Sequence, residues 1–155
     1  LGRAQTRGYR AASVTLCRMS KKHTSKVVGA NLRRVRTAEG STTRVLAAAV
    51  AEQGVPMSSS GITDIEAGRR GVSVDQLTCL AAALGVSPLA LLTPIPEDEN
   101  PDTDVLLSGT SWEKAGDMHL WLKGEQSLSH ELLDDFEREA FRRASNPPWV
   151  WKKKV

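Results

Sequence analysis

Apolar residues recur through the middle of this chain at helical spacing, and serines and glycines interrupt them at regular intervals. Val28, Leu32 and Val35 follow i, i+4, i+7 while Lys26, Arg33, Arg34 and Arg36 fill other positions. That predicts an amphipathic helix over about 26–38, capped by Ser25 and stopped by Gly40. A second helix starts after Ser41 or Thr42, turns Leu46, Ala49 and Val50 inward, and closes at Gly54. Val55, Pro56 and Met57 then turn the chain into SSSGITDIEAGRRG (58–71). In that stretch Ser58 or Ser59 suits the N-cap, Ile62 and Ile65 lie on one face, and Gly68 falls where a helix-ending glycine belongs. A fourth helix over about 73–84 follows Ser73 with Val74, Leu77, Ala81 and Leu84 inward. Ser87 and Pro88 open a fifth, with Leu89, Leu91 and Leu92, which Pro94 stops.

Past Pro94 the pattern weakens. The segment IPEDENPDTD (95–104) is acidic and carries prolines, so 95–107 reads as an acidic linker. Residues 108–155 read as a helical, tryptophan-containing extension with a basic tail. Its first helix, about 111–123, places Trp112, Ala115, Met118 or His119, and Leu122 on one face. Its second starts at Ser127 or Ser129, turns Leu133, Phe136 and Ala140 inward, and ends before Pro147 and Pro148. Two such helices cannot bury a large core alone. They must pack on the preceding domain, on a second copy or on a foreign partner, and the sequence leaves all three open. At the other end, residues 1–25 show no period and few large apolar residues, which predicts a disordered arm. Met19 opens MSKKHTSK like an ordinary start, making residues 1–18 an upstream extension on that reading.

Charge sharpens this division. The formal net charge is only +3, yet Arg3, Arg7, Arg10, Arg18, Lys21, Lys22, Lys26, Arg33, Arg34 and Arg36 face Glu39 alone in the first forty residues. The stretch 97–104 holds acids and no base. Such polarity predicts a basic arm for a polyanion, with Lys21, Lys22 and Lys26 as candidate contacts, and an acidic segment kept away from it. Arg69 and Arg70, just past the 58–67 helix, form a fork of fixed charge suited to phosphate oxygens.

LAAAV (46–50), SSSGITDIEAGRR (58–70) and VDQLTCLAAALGVSPLALL (74–92) together resemble the Xre/Cro-type helix-turn-helix domain of bacterial and phage regulators. Its motif has a small residue after a leucine in the second helix, Ser-x-x-x-Ile-x-x-Ile-Glu-x-Gly in the third, and an LAxALGVSxxxLL close. The likeness spans about 26–93. It implies an all-α fold: a five-helix, phage-repressor-like helix-turn-helix domain over 26–94 plus a small C-terminal helical extension. The extension is more loosely similar to tails of actinobacterial and phage regulators. By this resemblance Thr43 and Arg44 lie over a phosphate, while Ser59, Ser60, Gly61, Thr63 and Asp64 face base edges. Ala47, Ile62 and Ile65 are core positions, and Glu66 is structural. Residues 51–57 make a longer connection between the second and third helices than the family has, which bears on how the third enters a groove.

The base-facing positions hold no Arg, Lys, Gln or Asn, so modest base discrimination is expected, with the arginines and the arm supplying much of the affinity. The implied function is a sequence-specific DNA-binding transcriptional regulator, a repressor docking helix 58–67 in the major groove of double-stranded DNA, with a homodimer joined through the extension as one of the open arrangements. The alternative is an antitoxin-like interaction module that autoregulates through the same domain.

Catalytic readings find little footing. No P-loop, GxGxxG or GxSxG motif is present, and His23, His119 and His130 have no metal-binding spacing. Asp117, His119, His130 and Glu131 are ligand types two C-terminal helices can bring together, but each reads as an exposed side chain near a helix start. No enzyme activity, cofactor or metal is therefore expected. Cys17 and Cys79 form no CxxC, which fits a reducing, cytoplasmic setting, and Cys79 reads as a small buried hydrophobe.

Overall fold

The computed structural model describes residues 22–152. Five helices make the first unit: α1 (His23–Ala38), α2 (Thr43–Glu52), α3 (Ser59–Glu66), α4 (Val74–Ala83) and α5 (Pro88–Leu92). A two-stranded antiparallel hairpin follows, β1 (Asp104–Val105) against β2 (Glu113–Lys114). Then come α6 (Ala115–Leu122), a single 3-10 turn at His130–Leu132, α7 (Asp135–Ser145) and α8 (Pro148–Trp151). The architecture is all-α apart from that hairpin. No helix among the described residues is long and apolar enough to cross a membrane.

Local chemistry sets most boundaries. The hydroxyls of Thr42, Ser58, Ser73 and Ser87 each accept from a backbone N–H of the first turn they precede, and Ser73 and Gln76 form a reciprocal capping box. Gly68 takes φ +68 just past α3, a conformation in which a Cβ would be strained. The N-terminal boundary differs from expectation: α1 begins at His23, so Ser25 lies inside the helix, and Lys22 at the cap makes no side-chain cap bond. Disorder was expected for residues 1–25; residues 1–21 lie outside the described residues, and 23–25 are helical.

One core gathers Leu32, Val35, Leu46, Val50, Ile62, Ile65, Leu80, Leu84 and Leu91 from all five helices, with Cys79 and Ala81 in the same cluster. Two features of α1 fix its neighbours. A Cβ at Gly29 would collide with the Ile65 carbonyl, so only glycine lets α1 and α3 approach this closely. Asn31, buried in the apolar stripe of α1, donates its amide to the Leu91 and Thr93 carbonyls (3.1 and 2.7 Å) and so satisfies carbonyls at the end of α5. Val74, expected inward, is 77% exposed. It is the first residue of α4, beyond the edge of the core that Leu80, Ala81 and Leu84 reach.

A second, smaller core joins Val105, Leu107, Ala115 and Met118, with Trp121, Leu122, Leu128 and, from α1, Val27 against it. The C-terminal unit therefore packs in cis on the first helix. Thr24 and Ser108 exchange bonds at the junction, backbone N–H to hydroxyl in both directions (3.2 and 2.9 Å). The stretch read as a linker thus ends in structure: Val105, Leu106 and Leu107 are buried. Pairing of Glu113 and Lys114 with β1 starts α6 late, leaving Trp112 outside it and 61% exposed. The last long helix also starts later than the serines suggested. Asp134 caps it in a box with Glu137, and none of its residues is buried. Phe136, expected inward, is 82% exposed and Ala140 is exposed too, because α7 turns Phe141 toward the protein instead.

Candidate nucleic-acid interface

Helix α3 is short and rooted by two side chains. Ile62 and Ile65 are fully buried, so the faces away from them are fixed by helix geometry. Ser60 and Thr63 stand exposed, while Ser59 and Asp64 are half-buried. The Thr63 hydroxyl donates to the Ser59 carbonyl (3.0 Å), and Ser58 and Ser60 hydroxyls lie 3.1 Å apart. Gly61 departs from the expected base-facing role because it is buried. A Cβ there would lie 3.1 Å from the Ser58 hydroxyl and 3.2 Å from a guanidinium nitrogen of Arg70, so the arginine folds back over this glycine.

The loop after α3 is hooked onto the helix. Backbone N–H groups of Arg69 and Arg70 both donate to the Asp64 carbonyl (2.9 and 3.2 Å). Arg69 also grips the Asp64 carboxylate through Nε and Nη2 (2.9 and 2.6 Å). A candidate base contact and a candidate phosphate contact therefore hold each other in the free molecule. Lys22 donates to the Arg69 carbonyl (3.3 Å), and the stem of Lys26 lies beside Gly68. The start of α1 is brought alongside the basic loop, an arrangement across forty residues of chain that spacing could not reveal. Lys21 lies outside the described residues. At the start of α2, Thr43 is half-buried and Arg44 is exposed, with no ion pair holding it among the described residues.

Glu66, the last residue of α3, is a strut. Its carboxylate accepts from Arg36 Nε and Nη2 (2.6 and 2.8 Å), and Arg36 Nη1 donates to the Ser41 carbonyl (2.6 Å). One arginine thereby ties α1, the turn before α2, and α3. Glu66 raises the Arg36 pKa, chiefly through that hydrogen bond, against the opposing effect of burial. In the connection from α2, the helix runs to Glu52, and Val55 and Met57 pack on the core.

Of the ligand types noted in the extension, Gln126 bridges Asp117 and His130 (2.9 Å to each), while His119 lies 3.4 Å from the Thr93 hydroxyl on the other side. No group of three or more His, Cys, Asp or Glu suited to a metal ion occurs among the described residues. The Cys79 thiol is buried and lies 3.3 Å from the Gln53 side-chain oxygen.

A serine-capped α3 is thus set on α2, held against α1 and followed by the exposed Arg69 and Arg70. Residues 27–92 match a family model described as a helix-turn-helix domain. No curated protein matches the chain, and no solved structure does.

Proposed function

We propose that the protein is a sequence-specific transcriptional regulator of the Xre/Cro type, a repressor that sets α3 in the major groove of its operator. The observation that carries this reading is the orientation of α3. With Ile62 and Ile65 buried, Ser60 and Thr63 are left exposed, as are Arg44 at the start of α2 and Arg69 and Arg70 just past α3. Ser59, Ser60, Thr63 and Asp64 are the proposed base-edge contacts. Thr43, Arg44, Arg69, Arg70, Lys22 and Lys26 are the proposed phosphate contacts, and the domain would act within 26–94. Hydroxyls make single contacts with donor or acceptor edges, so discrimination by one copy is modest. Two copies on half-sites about 34 Å apart would supply the rest.

Footprinting on the DNA flanking the protein's own gene, followed by gel shifts across a salt series, tests this. A protected site that survives competitor DNA is expected. Arg69→Ala should weaken binding to every sequence and flatten the salt slope by about one. Thr63→Ala should instead change the preference between sites. Binding of all duplexes alike, with Arg69→Ala without effect, would refute the docking. One observation favours the antitoxin-like reading: the extension leaves large apolar side chains in solvent, a surface a foreign protein can use. Co-purification of a neighbouring gene's product would support it.

A further inference from the structure

Helix α7 is amphipathic, yet no residue of it is buried. Its outer face carries Phe136 (82% exposed) and, one turn on, the small Ala140, and Leu132 (87%) and Trp149 (78%) are exposed in the segments on either side of the helix. Isolated exposed apolar residues are ordinary, but Leu132, Phe136 and Trp149 all fall in and around one helix. The same helix is polarised in charge. Asp134, Asp135 and Glu137 crowd its first turn, and Arg142 and Arg143 its last, with Lys152 just beyond α8.

We propose that α7 pairs with α7 of a second copy, antiparallel, about a two-fold axis near Ala140. Two-fold pairing puts the same patch on both partners, so a self-complementary surface is required. The antiparallel arrangement provides it: the acidic start of each helix meets the basic end of the other. A parallel arrangement sets acids against acids. Ala140 at the axis lets the backbones approach, and Phe136 of each helix then packs toward the Trp149 end of the other. The proposal rests on the two-copy part of the functional reading and names the surface for it.

Light scattering and sedimentation of the full chain without DNA, over a concentration series, test the pairing. The mass should rise to twice that of the chain in the micromolar range, as a small interface requires. Phe136→Asp should hold it at the monomer mass, and Phe136→Leu should restore the doubling. Arg142→Glu with Arg143→Glu should be monomeric alone, and should pair when mixed with Asp135→Lys plus Glu137→Lys. Recovery on mixing also shows that both variants are folded. Ala140→Cys in a Cys17→Ser background should form an intermolecular disulfide under mild oxidation. A wild-type chain that stays monomeric throughout, or a Phe136→Asp chain that still dimerises, overturns the proposal and leaves the face to a foreign partner. Gel shifts of Phe136→Asp on a single half-site read α3 separately. Retained binding by a monomer and lost binding by a dimer therefore distinguish failure of the pairing from failure of the DNA reading.

Discussion

Asp64 and Arg69 sit five residues apart at the end of α3 and neutralise one another in the free protein, with both side chains about half exposed. An exposed pair of this kind stabilises the fold by only ~0–1 kcal/mol, so its larger effect is on what Arg69 offers a phosphate. Asp64→Asn removes the competitor for the guanidinium and the negative charge beside the groove. It should tighten binding to random duplex, measured by fluorescence anisotropy at several ionic strengths, and the gain should vanish when Arg69→Ala is added. Unchanged affinity would mean that the pair does not limit what Arg69 offers a phosphate. The periodicity of 58–67 made Ile62 and Ile65 legible as the root of α3, because burial of one helical face follows from spacing. Burial of Gly61 was not legible. It depends on Arg70 folding back from outside the helix, a contact that no spacing encodes.

The crossing of α1 and α3 turns on a glycine. Gly29→Ala pushes a methyl into the Ile65 backbone and should destabilise the first unit by ~1–3 kcal/mol or more, read as a lower urea midpoint with an unchanged slope. Retained stability would mean that the two helices separate at little cost. Spacing within α1 marked neither Gly29 nor Asn31, because the partners that give them their roles, the Ile65 backbone and the Leu91 and Thr93 carbonyls, lie on α3 and at the end of α5. The loop before the hairpin gives a pH prediction. The Thr103 hydroxyl, then the Asn100 backbone N–H, hold the Asp98 carboxyl below its ordinary value. The contribution of Asp98 is therefore fully present above its unfolded pKa and fades as pH falls through the lower folded one. An NMR titration of Asp98 should show that depressed midpoint, and Thr103→Val should move it upward. The acidic run 97–104 did mark a polar loop. It could not show that Val105–Leu107, immediately after it, would be buried.

At the scale of the whole molecule α1 serves two cores, with Leu32 and Val35 in the first and Val27 against the second. Met118, fully buried in the second, should report on this sharing. Met118→Ala is expected to cost ~2–5 kcal/mol and to shift a single unfolding transition seen by both tryptophan fluorescence and helix signal. Two separate transitions would show that the units unfold independently. By itself the sequence determined the five helices of the first unit, the caps at Thr42, Ser58, Ser73 and Ser87 and the inward side of α3, because these depend on hydrogen bonds and periodicities within a dozen residues. Only the tertiary structure decided that the extension docks on α1, that Lys22 and Arg69 meet, and that Phe136 faces outward. Those outcomes depend on which distant surfaces touch, and an apolar stripe specifies that it seeks cover without specifying by what.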